Sequence, residues 1–221
     1  MFDHRAMLKL YFIAGTQDCR HLAGKPAQNL LHILEQALQS GITCFQFREK
    51  GQGALQDTVQ IRQTAAVCRD LCRHYRVPFF INDDIRLALE LGADGVHIGQ
   101  QDTPPEQAAA LCKGRLMLGL SHNTLAELAA SRQNEVMDYA AVGPIFSTRS
   151  KADAEPVVGT DFIRRIRSSG FLHPLVAIGG ITENNAAAVR AAGADGVAVI
   201  SAITQAADIG AAVGKLLAES A

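Results

Sequence analysis

Eight short apolar runs alternate with segments of helical period along this chain. The runs lie at about 9–15, 44–48, 79–83, 95–100, 117–121, 139–146, 175–180 and 196–201. Several are unbroken apolar stretches, such as Leu175-Val176-Ala177-Ile178. Such stretches suit parallel strands buried on both faces. Between them the apolar spacing predicts helices. Segment 28–40 puts Leu31, Leu34, Ala37 and Leu38 on one face and stops at Gly41, and segment 54–76 carries Val59, Ala66, Cys68 and Leu71. Segment 84–91 ends at Gly92, and segment 104–112 opens with two prolines, a first-turn signal. Segments 124–132, 160–168 and 183–192 continue the alternation, and 209–219 supplies a last helix.

Strand–helix alternation of this kind implies a parallel sheet, either doubly wound and open or closed. Closure is favoured by the count of eight and by where the polar residues fall. An open sheet gathers polar strand ends at its switch point. Here almost every run ends in them: Gln46 to Lys50, Asn82 to Asp84, Gly99 to Asp102, Ser121, a loop at 143–151, Gly179-Gly180, and Ile200-Ser201. The first run ends more weakly, at Gly15-Thr16. The expectation is an α/β fold, a single-domain (β/α)8 TIM barrel over 1–221, with these ends on one rim. The repeated Gly-Ala-Asp-Gly-Val at 92–96 and 193–197 reads as a shared turn, its first glycine a helix C-cap. Asp94 and Asp195 then belong to the opposite rim.

Composition adds limits. In 221 residues, 48% are hydrophobic and 19% charged, with a net charge of −1. No basic field argues for nucleic acid, and no apolar run approaches the length that crosses a bilayer. The start, Met1-Phe2-Asp3-His4-Arg5, lacks the apolar block of a signal peptide, so a cytoplasmic location is expected. Five cysteines at unrelated spacings are no disulfide framework. Cys68 and Cys72 read as small buried side chains rather than a metal pair.

The strand ends carry the chemistry. Glycines at 179–180 let backbone N–H groups approach an anion, and 199–202 adds N–H groups and the Ser201 hydroxyl. These loops follow the seventh and eighth runs, where barrels often bind phosphate. Arg48 and Lys50 suit a more highly charged anion, the alternative being a solvated loop paired to Glu49. Asp83 and Asp102, with Asn82 nearby, offer the few hard oxygen ligands that Mg²⁺ uses beside substrate phosphates. Thr148, Ser150 and Lys151 form another phosphate grip on a long loop. His97 is assigned a hydrogen-bonding role within or near the site. With two anion sites, a divalent metal site and no activated nucleophile, the set points to displacement of pyrophosphate.

Gln-Phe-Arg-Glu-Lys at 46–50, Ile-Asn-Asp-Asp at 81–84, Ala-Asp-Gly-Val-His-Ile-Gly-Gln-x-Asp at 93–102, Val-Gly-Pro-Ile-Phe-x-Thr-x-Ser-Lys at 142–151, Ala-Ile-Gly-Gly-Ile at 177–181 and Gly-Val-Ala-Val-Ile-Ser-Ala-Ile at 196–203 stand in order along the chain. Together they closely resemble the thiamine-phosphate synthase family, also called thiamine-phosphate pyrophosphorylase. The resemblance implies a transferase that joins hydroxymethylpyrimidine diphosphate to hydroxyethylthiazole phosphate and releases pyrophosphate, with Mg²⁺. It assigns Gln46, Phe47, Arg48, Glu49, Lys50, Asn82, Ser121 and Lys151 to the pyrimidine diphosphate. Arg48, Lys50, Lys151 and Ser121 would be catalytic. Asp83 and Asp102 would hold Mg²⁺, and Thr148, Ser150, Gly180, Ile200 and Ser201 the thiazole phosphate. It also implies a dissociative reaction, in which pyrophosphate leaves before the thiazole nitrogen attacks. Small-molecule substrates are the expected partners, with a homo-oligomer possible. Two departures stand out: Thr-Arg-Ser-Lys where Thr-x-Thr-Lys is usual, and His122-Asn123-Thr124, which leaves the role of His122 open. The related thiazole tautomerases lack the metal-binding acids present here, and a barrel that only binds phosphate would leave these acids and cations idle.

Overall fold

The computed structural model describes residues 3–133, 135–148, 150 and 156–218. Its eight strands are β1 (Leu10–Ala14), β2 (Cys44–Phe47), β3 (Phe79–Asn82), β4 (Gly95–Ile98), β5 (Met117–His122), β6 (Tyr139–Val142), β7 (Leu175–Ile178) and β8 (Gly196–Val199). Each pairs in parallel with its sequence neighbours, and β8 pairs with β1, so the sheet closes into a barrel. Seven helices join the strands in the expected places: α2 (Pro26–Gln39), α3 (Thr58–Tyr75), α4 (Ile85–Leu91), α5 (Pro105–Cys112), α6 (Leu125–Gln133), α7 (Gly159–Ser168) and α8 (Ala186–Ala191). The last helix, α10, covers Ile209–Leu217. Three elements were not expected: α1 (His4–Leu8), a 3₁₀ turn at Thr16–Cys19, and α9 (Ser201–Thr204). The helix expected from 183 begins at Ala186, because Asn185 Oδ1 accepts the Thr182 N–H at 2.8 Å and holds the preceding residues as a turn.

Strand alternation divides the buried residues into two layers. Phe12, Phe45, Phe47, Phe79 and Ile81 point outward and pack under the helices. Tyr11, Phe80, Tyr139, Val176 and Ala198 point inward, with Met7 and Leu8 of α1 closing the bottom. Inward rings need room, and glycines on β4 and β5 provide it. A Cβ on Gly95 would overlap the Phe80 ring, and one on Gly119 the Tyr139 ring.

The bottom rim is stapled by acids that precede strands. Asp94 accepts the N–H of Phe79 at 2.9 Å, Asp138 that of Leu118 at 2.7 Å, and Asp195 that of Leu175 at 2.8 Å. Each ties the start of one strand to the next, which gives Asp94 and Asp195 their expected structural place. Gly92 caps α4 with φ 60°. All five cysteines are free and buried, Cys68 and Cys72 among them. No described helix is long and apolar enough to cross a membrane.

Candidate active site

At the opposite rim the strand ends surround one cavity of about 320 Å³. Its wall includes Arg48, Lys50, Asn82, Asp83, Asp102 and Ser121 on the β2–β5 side. Across from them stand Thr148, Ser150, Gly180, Ile200 and Ser201. Lys151 lies outside the described residues. Three residues expected to contact substrate do not line this cavity. Phe47 alternates away from the cavity and is buried under the helices. Glu49 turns back to organise its own loop, accepting from Thr16 N at 3.0 Å and Leu55 N at 2.7 Å. Gln46 lies beneath the cavity and lines a small void of about 20 Å³ that shares Arg48, Asn82, His97 and Ser121 with the cavity wall. The ion pair to Glu49, weighed as the alternative for the two cations, is replaced by one from Lys50 to Asp83.

That ion pair is the electrostatic centre of the site. Lys50 Nζ lies 2.6 Å from Asp83 Oδ2 and 3.6 Å from Asp102 Oδ1. Backbone geometry delivers both acids. Asp83 adopts the left-handed region, φ 61°, with its N–H on the His97 carbonyl at 2.8 Å. Aspartate tolerates this conformation better than most residues. Asp84 then caps α4 by accepting from Leu87 N at 2.8 Å. Asp102 Oδ2 accepts the Gly99 N–H at 2.8 Å, which leaves Oδ1 toward Lys50. Burial raises the carboxyl pKa of Asp83, and the nearby Asp102 adds to it against the pull of Lys50. Burial acts on Asp102 in the same direction, but the Gly99 N–H, Asp83 and Lys50 together hold it below the usual range. Burial would lower the Lys50 ammonium, yet the hydrogen bond and charge of Asp83, then the charge of Asp102, raise it.

Two hard carboxylates converging on one cation make a donor set suited to Mg²⁺, which takes one or two carboxylates and completes its shell with water and phosphate. Among the described residues no group of three or more His, Cys, Asp or Glu could hold a metal.

On the far side, the β6 and β7 loops are locked together. Ile145 N donates to Ile178 O and Phe146 N to Gly179 O, each at 2.9 Å. Gly179 and Gly180 have φ 102° and 61°. A Cβ on Gly180 would overlap the Ser147 carbonyl and stand 2.8 Å from Phe146 Cβ. The glycine is therefore required by the neighbouring loop, and it also lines the cavity.

The cavity also includes residues not assigned from sequence: Gln100, Asn123, Thr124 and Glu127. Glu127 accepts from Asn123 N at 2.8 Å, and Thr124 Oγ1 from Glu127 N at 3.2 Å. The signal was legible as Thr-x-x-Glu, a capping box opening α6. His97 bridges Tyr139 and Ser121, consistent with its expected hydrogen-bonding role. His122 faces away, fully buried with Nε2 at 2.9 Å from Ser131 Oγ.

Comparison with known proteins gives one consistent answer. The family model for thiamine monophosphate synthase matches residues 10–203. A thiamine-phosphate synthase of Pasteurella multocida is 58% identical over 212 residues, 96% of each chain. One from Histophilus somni is 52% identical over 216 residues, 98% of each chain. The solved thiamine phosphate pyrophosphorylase of Pyrococcus furiosus superposes with a TM-score of 0.82 at 34% identity, covering 97% of this chain and 96% of that one.

Proposed function

Because the chain belongs to the thiamine monophosphate synthase family and is a transferase of that class, we propose that it performs a Mg²⁺-dependent condensation of 4-amino-5-hydroxymethyl-2-methylpyrimidine diphosphate with hydroxyethylthiazole phosphate. The products are thiamine phosphate and pyrophosphate. The observation that carries this reading is the convergence of Lys50, Asp83 and Asp102 at one end of a cavity whose other end is the hydroxyl-bearing wall of Thr148, Ser150 and Ser201. One end fits a diphosphate with its metal, the other a monophosphate.

In this reading Arg48 and Lys50 bind the diphosphate and stabilise the charge that grows on it as the bond from the pyrimidine methylene carbon to oxygen breaks. The electron pair leaves with pyrophosphate. The methylene cation is stabilised by the aminopyrimidine ring, and the thiazole nitrogen lone pair forms the new C–N bond. Asp83 and Asp102 would hold Mg²⁺, which supplies further positive charge to the leaving group. Ser121 and Asn82 would orient the pyrimidine end, while Thr148, Ser150, Gly180, Ile200 and Ser201 would hold the thiazole phosphate. Lys151 keeps its sequence-based assignment to the diphosphate. No protein nucleophile is required.

The test is to mix both substrates and follow thiamine phosphate and pyrophosphate, with Mg²⁺ and with a chelator. Equal release of both products only when Mg²⁺ is present is expected. Undiminished product in chelator removes the metal from the reading, and no product with Mg²⁺ removes the reaction.

A further inference from the structure

A line of hydrogen-bonding side chains runs through the barrel interior up to the cavity, and the proposed reaction leaves most of it unused. Gln46 Nε2 donates to Tyr11 Oη at 2.9 Å. Tyr11 Oη lies 3.0 Å from Tyr139 Oη, which lies 3.0 Å from His97 Nδ1. His97 Nε2 is 2.9 Å from Ser121 Oγ, and Ser121 lines the cavity. The Tyr139 ring stacks on the His97 imidazole, centroids 5.6 Å apart and planes 25° from parallel. This contact is built into the register: His97 pairs with Gly119, and Gly119 with Tyr139. A Cβ at 119 would overlap the Tyr139 ring and stand 2.5 Å from His97 Nδ1.

The line can carry one continuous direction. An amide N–H can only donate, so Tyr11 receives at its oxygen from Gln46, and its own proton can then go to Tyr139. Tyr139 can in turn donate to His97 Nδ1, which puts the imidazole proton on Nε2, toward Ser121 Oγ, and leaves the serine proton for an acceptor in the cavity. Both phenols are buried and remain protonated: burial raises Tyr11 and Tyr139 well above their ordinary pKa.

We propose that Tyr139, backed by Tyr11 and Gln46, is a positioning residue that fixes His97 as its Nε2–H tautomer and thereby makes the Ser121 hydroxyl a donor to the bound pyrimidine diphosphate. This rests on the assignment of Ser121 to that substrate. Without the Tyr139 hydroxyl, Nδ1 loses its donor, the imidazole proton is free to move, and Ser121 turns part of the time into a donor toward His97.

Tyr139→Phe keeps the ring and removes the hydroxyl alone. ¹⁵N imidazole spectra of the substrate-free enzyme, with His97 assigned by the resonance lost in His97→Gln, should show only Nε2–H in the wild type and a mixture in Tyr139→Phe. In turnover, kcat/KM for the pyrimidine diphosphate should fall about tenfold in Tyr139→Phe, with the KM for thiazole phosphate unchanged. In a Ser121→Ala background the same change should cost less than about twofold, because its effect passes through Ser121. A wild-type His97 protonated at Nδ1 overturns the proposal, and that measurement needs no variant to fold. Equal losses in both backgrounds overturn it as well. Failure of the wild type to form thiamine phosphate would instead count against the proposed reaction and leave the tautomer result standing.

Discussion

Asp83 is a non-glycine residue held at φ 61° at the edge of the cavity, beside a carboxylate that shares its cation. Such a conformation costs of order 1 kcal/mol. It turns the carboxylate toward Lys50 and Asp102 where a plain strand exit would not. Asp102 reaches the same cation from a loop held by the Gly99 N–H on its carboxylate, by its own N–H on the Gly99 carbonyl and by Gln100 on the Ser121 carbonyl, so its side chain is not needed to hold the fold. Asp102→Ala should therefore cut turnover about 100-fold, while the urea midpoint moves by no more than about 1 kcal/mol of stability. A variant with near-full Mg²⁺-dependent activity would refute the metal assignment. His122 makes a different prediction, because it is buried on the helix side of β5 and not in the cavity. Burial lowers its pKa from 6.5 to about 4, against a smaller opposing pull from Glu127. The unfolded chain takes up a proton below about pH 6.5 and the folded one only near 4, so acidification through that window favours unfolding. The loss is at most about 3 kcal/mol. Urea midpoints at pH 7 and 4.5 should fall further in the wild type than in His122→Gln, and parallel falls would reject this origin.

The β6 and β7 loops behave as one element. Two backbone hydrogen bonds join them, and Gly180 fits against Ser147. Gly180→Ala would meet both a left-handed backbone and an occupied space, so the 146–148 segment must shift. The expected result is a destabilisation of about 1–3 kcal/mol and a demand for thiazole phosphate raised about tenfold, with that for pyrimidine diphosphate little changed. Saturation curves for the two substrates decide it: equal impairment means the two anion subsites are not separate. At this scale the sequence was informative where apolar runs were long. All eight strands and the helices from α2 through α8 lie where periodicity put them, within a few residues. It failed for elements of about one turn. α1, the Thr16–Cys19 turn and α9 are too short to display a helical period. Site residues followed the same logic. Polar groups at strand ends were legible because nothing in a core calls for them. Phe47 and Glu49, inside a motif that reads as one unit, were not separable until alternation sent one outward and the loop turned the other back. Tyr11 and Tyr139 sit inside apolar runs and look like core, which they also are; only the register across β4, β5 and β6 brings Tyr139 to His97.

Across the whole molecule the two rims divide the labour. The bottom is closed by Met7 and Leu8 of α1 and stapled by Asp94, Asp138 and Asp195, so the strands are fixed independently of any ligand. The top draws its wall from loops after β2 through β8, and there Lys50 bridges to Asp83 and Asp102 while backbone hydrogen bonds join the β6 and β7 loops. A diphosphate at Arg48 and Lys50, with Mg²⁺ at Asp83 and Asp102, would tie the β2, β3 and β4 loops together in the folded state only. By mass action, a ligand at 100 times its Kd adds about 2.7 kcal/mol. For a chain of this size that is a rise in Tm of about 5–10 °C. Inorganic pyrophosphate with Mg²⁺ should produce such a rise, pyrophosphate in chelator a much smaller one, and Mg²⁺ alone little. Asp83→Asn should lower the stabilisation by pyrophosphate with Mg²⁺ toward that seen in chelator, because only the metal-dependent part passes through the carboxylates. A full shift in chelator, or an undiminished one in Asp83→Asn, would mean that Arg48 and Lys50 hold the anion without the metal and that the paired acids serve only to position Lys50.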